Sequence, residues 1–459
     1  MKHRIPFRAL LALLSVGPIV ACQSGGDRPP NLLLITVDTL RPDRLGYNGY
    51  SRPTSPTLDR LAASGIVFTR AYSQSGWTLP SMATILTGAY PKDHRATDFH
   101  YRINWELPTL ASTLLSYDYD TRGYVSHVLL TSRYGFHKGF GHYDSSVLDR
   151  GNPHDIETSE ELTRLALEDL KDLKEPFFVW VHYFDPHFAY LSHPQWASFG
   201  DEDSDRYDQE IAHTDAYIGR LLDFFRQKKL LERTCIVFTA DHGEEFGEHG
   251  GAYHETCYQE VVRVPLVVSG PGIAPGRNDA IVDQVDLMPT MLGLIGVTPQ
   301  VSLPGRNLLA GSGGASGGGA AQAGTPAGGR AAGGASGGGQ LAERPIFIER
   351  DRPPGFRQRA MLLSGLKLVR VEPRDTTLIP EESRTQYAVP HNVTAGTYLY
   401  DLASDPGEQW NIAEDDQART EVLLARLASH FTGRGEIPAE QVTIDEQMRE
   451  RLRALGYIR

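Results

Sequence analysis

Apolar runs of strand length alternate with helical patterns through roughly the first two thirds of the chain. Four runs carry consecutive apolar side chains, as expected of strands that are buried on both faces of a parallel sheet. They cover residues 31–37, 176–182, 235–239 and 264–268. Helical periodicity occupies the intervening stretches 57–64, 80–86, 109–115, 159–173 and 207–228. This alternation predicts an α/β fold with a doubly wound sheet.

The pattern changes after residue 309. Gly, Ala and Ser make up 26 of the 31 residues in segment 310–340, a composition that cannot bury apolar surface and predicts a flexible linker or loop. Short strand patterns follow at 345–349, 360–363, 367–371 and 397–402, with helical patterns at 416–432 and 443–455. We therefore expect a catalytic domain over 31–309, the linker over 310–340, and a smaller α+β domain over 341–459 with an antiparallel sheet and a terminal helix.

The N-terminal residues have the pattern of a secretory leader. Lys2, Arg4 and Arg8 precede an apolar stretch that ends at small residues before Cys22. The run IVAC, residues 19–22, resembles a bacterial lipobox, which predicts a signal peptide over 1–21, lipidation of Cys22 and a tether over 22–30. The alternative is an ordinary signal peptide with an incidental cysteine. The lipobox interpretation places the protein in the cell envelope, anchored on the outer side of the cytoplasmic membrane or in the outer membrane.

The charge and the cysteines limit the possible functions. The chain has 45 Lys and Arg against 57 Asp and Glu, and loss of a basic leader increases the negative charge, so we expect no nucleic-acid binding. Cys235 and Cys257 are too few for a disulfide framework and do not have the spacing of a metal ribbon. The sequence leaves open whether these two cysteines form a disulfide.

Carboxylates and an imidazole stand where apolar strands end. Asp38 follows the first strand, and Asp241 and His242 follow the run 235–239. Open α/β sheets bind ligands at this edge, and with the Thr78 hydroxyl these groups form an oxygen and nitrogen set suited to a divalent cation. The nitrogen ligand favours zinc or manganese; calcium and magnesium are also compatible. The alternative for Thr78 is a helix cap.

Motifs in the same order along the chain give a more specific indication. They are VDTLRPDRLGY (37–47), TLPSMATILTG (78–88), DPH (185–187), TADHGE (239–244), RVPL (263–266), LYDL (399–402), DPGE (405–408) and LGY (455–457). Together they resemble the sulfatase family of the alkaline phosphatase superfamily, over residues 31–459 except the Gly/Ala linker. The resemblance implies a doubly wound mixed sheet between helices, a smaller C-terminal α+β domain, and a metal-dependent enzyme.

Three positions depart from the family pattern. Sulfatases carry Cys or Ser, oxidised to formylglycine, at the position of Thr78, and Arg at the position of Met82. Many have Asp at the position of Thr39. Because formylglycine is not formed from threonine by that route, none is expected here. A threonine nucleophile instead resembles the branch of the superfamily that moves phosphoryl groups, including lipoteichoic acid synthases, phosphoethanolamine transferases and nucleotide pyrophosphatases.

The resemblance also assigns roles around the predicted metal ligands Asp38, Thr78, Asp241 and His242. Thr78, His187 and His254 are the candidate catalytic residues, and His254 aligns where many sulfatases place a substrate-binding lysine. His254 is a candidate to bind the anionic group, protonate the leaving oxygen or help hold a second metal. The candidate substrate-binding residues are Thr39, His182 and His249.

Three functions are compatible with the sequence. The first is a surface-anchored, metal-dependent hydrolase or transferase that acts on a phosphoester or phosphodiester through a covalent Thr78 intermediate. The second is a sulfuric ester hydrolase that works without formylglycine. The third is a catalytically silent lipoprotein that binds anionic glycans. The sequence leaves open whether the anionic ester belongs to a lipid headgroup, a glycan or a nucleotide.

Overall fold

The computed structural model describes residues 29–454 except 152–154, 194, 196–197, 255, 311–340, 352–355, 374–393 and 433–438. The predicted signal peptide, Cys22 and nearly all of the Gly/Ala linker lie outside the described residues. The strands are β1 Asn31–Val37, β2 Gly65–Tyr72, β3 Asp120–Val125, β4 His142–Asp144, β5 Phe177–Tyr183, β6 Thr234–Ala240, β7 Glu245–Phe246, β8 Ala252–Tyr253, β9 Arg263–Val264, β10 Leu266–Ser269, β11 Gly276–Asp283, β12 Ile346–Arg350, β13 Phe356–Leu363, β14 Leu366–Pro373 and β15 Gly396–Asp401.

Helices of very different length connect the strands. They are α1 Pro56–Ala63, α2 Thr78–Thr87, α3 Pro91–His94, α4 Leu110–Leu115, α5 Ser159–Asp169, α6 Asp203–Gln227, α7 Gln259–Val262, α8 Leu287–Leu294, α9 Gln417–Phe431 and α10 Glu446–Ala454. Helices α1 and α5 pack on α6, and α4 and α8 pack on α2. Within the part of the chain that the structure describes, no helix is long and apolar enough to cross a membrane.

The main sheet is mixed, with strand order β11-β2-β10-β6-β1-β5-β3-β4 and β9 beside β2. Its centre is parallel: β1 pairs with β5 and β6, and β5 pairs with β3. Strand β10 runs antiparallel to both of its neighbours. Every residue of β1, β5 and β6 is buried, which explains their continuous apolar sequences. The predicted doubly wound α/β architecture with a mixed sheet is therefore confirmed.

A second, antiparallel sheet has the order β12-β13-β14-β15. One of its faces packs with Tyr72, Cys257 and Val261 of the first part of the chain. The other face packs with α9 through Leu423 and Leu427. The smaller C-terminal α+β unit is confirmed as a fold, and it is joined to the main sheet by an apolar contact.

The last helix differs from the sequence prediction. Sequence places the terminal helix in the smaller domain, whereas Val442, Met448 and Leu452 pack in the core of the main sheet. Arg133 also reaches forward to the Asp445 carboxylate, at 2.6 Å. The terminal segment thus returns across the molecule to the catalytic part, because its apolar side chains complete that core.

The structure also answers two questions that the sequence left, the pairing of the cysteines and the extent of the strands. Cys235 and Cys257 are both buried free thiols, so the disulfide that the sequence left open is not formed. Strand β3 was not predicted, because Arg122 and Gly123 interrupt its apolar pattern. Arg122 is nevertheless buried, since Asp120 and Asp169 neutralise its guanidinium.

Candidate active site

Four neighbouring parallel strands bring polar residues to one edge of the main sheet. Strands β6, β1, β5 and β3 lie side by side, and in the register of the sheet Val37 pairs with both Ala240 and Tyr183. Because parallel strands end at the same edge, the residues that follow them converge. Asp38 and Asp241, which directly follow β1 and β6, meet there.

Asp38, Asp241 and His242 form a group that can hold a cation. One ligand atom from each lies within 4.8 Å of those of the other two, and all three residues are fully buried. His242 Nε2 is 3.5 Å from Asp38 Oδ1 and 3.4 Å from Asp241 Oδ2. Two carboxylates and one imidazole match the oxygen and nitrogen donors of divalent transition-metal sites.

The electrostatics of this group fit a bound cation. Burial, reinforced by the nearby Asp241 and Glu244 carboxylates, raises the pKa of Asp38 well above its ordinary value. Burial also raises the pKa of Asp241 and of Glu244. Asp241 Oδ2 has no hydrogen-bond partner among the described residues. A divalent cation would remove the cost of the crowded negative charges and satisfy this oxygen.

Backbone contacts fix the orientation of the potential ligands. Asp241 Oδ1 accepts hydrogen bonds from the backbone N–H groups of Thr39 and His242, at 3.2 and 2.8 Å. His242 Nδ1 lies 2.9 Å from the carbonyl oxygen of Gly243. In the neutral imidazole this carbonyl holds the proton on Nδ1, so the lone pair of Nε2 faces the carboxylates.

Thr78 is the first residue of α2 and points its hydroxyl at the same group. Thr78 Oγ1 is 3.5 Å from each oxygen of Asp38 and 3.4 Å from His242 Nε2. The residue at the cap position is Trp77, and its side chain makes no capping hydrogen bond. The structure therefore does not support the helix-cap alternative for Thr78, and the positive N-terminal end of the α2 dipole lies next to its hydroxyl.

The loop before Thr78 is held on both sides. Ser73 and Ser81 both donate hydrogen bonds to the carbonyl oxygen of Ser75, at 2.8 and 2.9 Å. A Cβ atom at Gly76 would lie 2.6 Å from the carbonyl oxygen of Thr256, so only glycine fits this close approach. The segment that carries His254 therefore packs directly against the loop that carries Thr78.

His182 supports Asp38 from β5. Its Nε2 lies 3.3 Å from Asp38 Oδ2, and its Nδ1 lies 2.9 Å from the hydroxyl of Thr36. That hydroxyl also accepts a hydrogen bond from Trp180 Nε1 at 2.9 Å. Because a carboxylate can only accept, the contact with Asp38 places the imidazole proton on Nε2, and Nδ1 accepts the proton of the Thr36 hydroxyl. Burial lowers the pKa of His182 to about 3. His182 is thus a neutral donor to a carboxylate.

His127 is a site residue that the sequence analysis did not identify. It follows β3, accepts a hydrogen bond from the backbone N–H of Leu129 on Nδ1, and places Nε2 3.8 Å from Asp38 Oδ2. Its ring lies 6.0 Å from that of His187 and 6.4 Å from that of His182, measured between centroids. Recognising β3 as a strand of the parallel sheet would have placed His127 at the functional edge.

His187 and His254 both reach the group. The ring of His254 lies 4.7 Å from that of His242 and 5.2 Å from that of His187, between centroids. His254 Nδ1 is 3.1 Å from Glu244 Oε1, so a buried carboxylate orients this imidazole. Both predicted catalytic histidines therefore lie beside the site, His254 next to His242 and His187 next to His254 and His127.

Thr39 and His249 are placed differently from each other. Thr39 lies at the site through its backbone N–H, with a left-handed φ of 52° that is unusual for a β-branched residue. His249 is not brought to the Asp38 group. Its ring stacks on Tyr258 at 3.6 Å between centroids, and its Nε2 lies 3.5 Å from Glu260. Its substrate-binding assignment therefore has no support in the geometry.

Met82 occupies the position where the family pattern has arginine. Its side chain is fully buried and belongs to the main core. Position 82 therefore supplies no cation to the site, and the N-terminal end of α2 provides partial positive charge beside Thr78.

This fold and this edge-of-sheet site define a metal-dependent hydrolase of the alkaline phosphatase superfamily. The sequence pattern of the sulfatase family matches residues 30–297, and the chain belongs to that family. Arylsulfatase A of Homo sapiens is 27% identical over 373 residues, which cover 66% of this chain and 70% of that protein. The enzymatic alternatives are thereby favoured over a catalytically silent binding protein.

Solved structures share the fold. One, a complex with D-glucosamine-2-N,6-O-disulfate as its substrate, has a TM-score of 0.69 and 18% identity, and the match covers 88% of this chain and 97% of that one. Phosphonate monoester hydrolase of Agrobacterium radiobacter has a TM-score of 0.64 and 19% identity, with 88% and 96% covered. The architecture thus occurs in proteins that act on different anionic substrates.

Proposed function

We propose that this protein cleaves a phosphoester or phosphodiester, with Thr78 as the nucleophile of a two-step displacement. The observation that carries the proposal is the position of the Thr78 hydroxyl, which lies at the start of α2 within 3.5 Å of Asp38 and His242. The phosphoryl group is then transferred from Thr78 to water or to an alcohol, so the proposed enzyme is a hydrolase or a transferase.

The proposed cation ligands are Asp38, Thr78, Asp241 and His242. A divalent cation at this position supplies positive charge that lowers the pKa of a ligating hydroxyl and polarises an ester oxygen. The imidazole among the ligands favours zinc or manganese, and the oxygen ligands are also compatible with calcium and magnesium. A second cation is not required by the contacts described above, and no formylglycine is expected at Thr78.

In the first step Thr78 Oγ1 forms a bond to phosphorus while the bond from phosphorus to the leaving oxygen breaks. The Asp38 carboxylate, 3.5 Å from the hydroxyl, is the proposed acceptor for its proton. The backbone N–H groups of α2 orient and stabilise the oxygens of the anionic group. The leaving oxygen requires a proton to depart as an alcohol.

His254 is the proposed donor of that proton, and Glu244 keeps its imidazole in place. In the second step the same imidazole removes a proton from water, or from an acceptor hydroxyl, as this oxygen attacks phosphorus. Thr78 leaves as the alcohol with the proton that Asp38 took in the first step, and the proton taken from water or from the acceptor restores His254 as the donor. The phosphate product is released, so atoms and protons balance over the cycle. His187 is proposed to bind the anionic group beside His254, and His182 to position Asp38.

Sulfate ester cleavage is the second candidate. Its support is the membership in the sulfatase family and the similarity to arylsulfatase A. Against it stand threonine at position 78 and an apolar Met82 in place of the arginine. A sulfatase of this sequence would have to use Thr78 directly or only as a cation ligand.

The substrate is proposed to be an anionic ester of a lipid headgroup, a glycan or a nucleotide. The proposed location is the cell envelope, with the lipidated Cys22 anchoring the chain on the outer side of the cytoplasmic membrane or in the outer membrane. The net charge of −12 gives no support for nucleic-acid binding.

The test uses purified protein loaded in turn with zinc, manganese, calcium and magnesium. Release of nitrophenol is measured from the sulfate ester, the phosphate monoester and a phosphodiester, for wild type, Thr78→Ala and Thr87→Ala. Thr87 is a matched control, because it lies in the same helix and its hydroxyl bonds to the Ala83 carbonyl. We expect phosphoester turnover that is lost in Thr78→Ala and kept in Thr87→Ala. Full activity in Thr78→Ala refutes the nucleophile, and turnover of the sulfate ester alone supports the second candidate.

A further inference from the structure

Tyr253 is an exposed aromatic residue in a costly backbone conformation beside the site. Its side chain is 40% exposed, and its φ of 69° lies in the left-handed region that disfavours side chains with a Cβ atom. It ends β8 in the hairpin with β7 and directly precedes His254. A residue that is both exposed and strained contributes little to folding, and such strain is found where function requires a fixed side chain.

A second aromatic residue meets Tyr253 from another segment. The ring of Phe188 contacts that of Tyr253 edge to face, with 4.5 Å between centroids. Phe188 directly follows His187, as Tyr253 precedes His254, and the two histidine rings are 5.2 Å apart. The aromatic pair of Phe188 and Tyr253 therefore lies next to the histidine pair on the same two segments of chain.

We infer that Tyr253 is a specificity-determining residue that packs against a ring in the leaving group of the ester. The inference rests on the proposed function, because it takes the side of the site that carries His254, the proposed proton donor, as the side of the leaving group. An aromatic face with an exposed surface binds flat apolar faces, which aryl groups and pyranose rings both present. Phe188 is the positioning residue, because its ring contacts the Tyr253 ring edge to face.

Because the Tyr253 backbone is strained, one substitution can distinguish a role in substrate binding from a role in folding. Glycine adopts positive φ without cost, so Tyr253→Gly relieves the backbone while it removes the ring. If Tyr253 served folding, Tyr253→Gly would lower the melting temperature. If Tyr253 serves substrate binding, the variant is at least as stable as wild type and loses its preference for ring-bearing ligands.

The experiment measures binding, so it does not depend on turnover. Dissociation constants of phenylphosphonate and methylphosphonate are determined by calorimetry for manganese-loaded wild type, Tyr253→Ala, Tyr253→Gly and Tyr253→Phe. Trp410→Ala is the control, because Trp410 is an aromatic residue that is 69% exposed on the C-terminal unit. The same set is repeated with a glucose 6-phosphonate, which has no ester bond to cleave and replaces the aryl ring with a sugar.

We expect wild type, Tyr253→Phe and Trp410→Ala to bind phenylphosphonate about tenfold more tightly than methylphosphonate. In Tyr253→Ala and Tyr253→Gly the ratio falls to about one, and the melting temperature of Tyr253→Gly does not fall. A wild-type ratio near one for both the aryl and the sugar ligand, or an unchanged ratio in Tyr253→Ala, overturns the inference. The comparison of the two ring ligands shows which ring the residue prefers. If Thr78 is not the nucleophile, these ratios of dissociation constants are still expected, so the two proposals can fail separately.

Discussion

Asp38 makes contacts with three imidazoles as well as with the Thr78 hydroxyl. Its oxygens lie 3.3 Å from His182 Nε2, 3.5 Å from His242 Nε2 and 3.8 Å from His127 Nε2. Of these, His182 is itself anchored on Thr36, so its position is fixed independently of any ligand. Groups that hold a metal-ligating carboxylate in this way commonly govern metal affinity.

The first prediction concerns His182 and metal binding. His182→Ala removes the donor that orients Asp38, and we expect a loss of metal affinity of about 10-fold to 100-fold, measured by calorimetry with zinc or manganese. His94→Ala is the control, because His94 is equally buried and its ring contacts Thr84 and the backbone of Ala96. Equal metal affinity in His182→Ala and wild type would contradict the supporting role of His182.

At the level of elements, α6 holds the loop that carries the proposed catalytic His187. The Glu210 carboxylate accepts a hydrogen bond from the Leu191 N–H at 2.6 Å, and Gln209 accepts one from the His193 N–H at 2.9 Å. Glu210 Oε2 also lies 3.1 Å from His193 Nε2. The ionisable groups of this contact are Glu210, His193, His213, Asp185 and Glu157.

The second prediction is a pH-dependent stability of this contact. Burial raises the pKa of Glu210 to about 7, against the opposing contact with His193. Burial works against a charged imidazole, but the contact with Glu210 outweighs it and raises the pKa of His193. A group with a raised folded-state pKa stabilises the fold below its unfolded pKa and loses that contribution as pH rises through the folded value. We therefore expect the free energy of unfolding to fall as the pH rises from about 5 to above 7.

Thermal unfolding across this pH range tests the second prediction. Glu210→Gln keeps an oxygen acceptor for the Leu191 N–H and does not titrate, so its melting temperature should depend less on pH than that of wild type. Glu168→Gln is the control, because Glu168 is exposed. A pH dependence in Glu210→Gln as steep as that of wild type would show that the transition arises elsewhere.

The third prediction concerns the approach of two loops at Gly76. Gly76→Ala places a Cβ atom 2.6 Å from the Thr256 carbonyl oxygen and 2.8 Å from Val261. We expect a loss of stability of about 1–3 kcal/mol and a lower kcat, since Thr78 and His254 are displaced together. Gly276→Ala is the control, because its Cβ atom would meet open space. Unchanged stability and kcat in Gly76→Ala would contradict the coupling of these loops.

The ease of prediction from sequence differed between elements for physical reasons. The bounds predicted for β1 agree with the structure, and those for β5 and β6 differ by one residue at each end, because strands buried on both faces have continuous apolar sequences. Strand β3 carries a buried but paired Arg122, which sequence alone cannot distinguish from a solvated one, and His127 was missed with it. The orientation of the His249 side chain depends on the conformation of the hairpin formed by β7 and β8, which the spacing of residues along the sequence does not determine.

At the scale of the whole molecule, the smaller sheet supports the loop that precedes Thr78. The backbone N–H of Glu349 in β12 donates to the Gln74 carbonyl at 2.9 Å, and Ser75 Oγ donates to the Glu349 carbonyl at 2.8 Å. Lys367 and Glu408 form a fully buried pair at 2.6 Å, and the Glu408 carboxylate accepts a hydrogen bond from the Gln259 N–H. The C-terminal unit thus holds the loop before Thr78 and the segment around Gln259 in place.

The fourth prediction concerns segment 311–340, whose flanks meet at one carboxylate. The Arg306 N–H donates to Asp286 Oδ1 at 2.7 Å, and Arg344 Nη2 donates to the same oxygen at 2.6 Å. Since these contacts hold the two flanks together, replacing 311–340 with a short Gly/Ser connection should leave kcat/KM unchanged and the melting temperature within a few degrees. Arg344→Ala, in contrast, should lower the melting temperature. A deletion protein that loses activity would contradict this account.

The most direct test of the central claim is a search for a covalent intermediate on Thr78. Metal-loaded wild type is mixed with excess phosphoester substrate and quenched in acid, and the peptide that contains Thr78 is analysed by mass spectrometry, with Thr78→Ser and Thr78→Ala in parallel. The account predicts phosphorylated or phosphodiester-modified Thr78 in wild type, modified Ser in Thr78→Ser, and an unmodified peptide in Thr78→Ala. Steady turnover with no modified peptide in wild type, and undiminished turnover in Thr78→Ala, would contradict it.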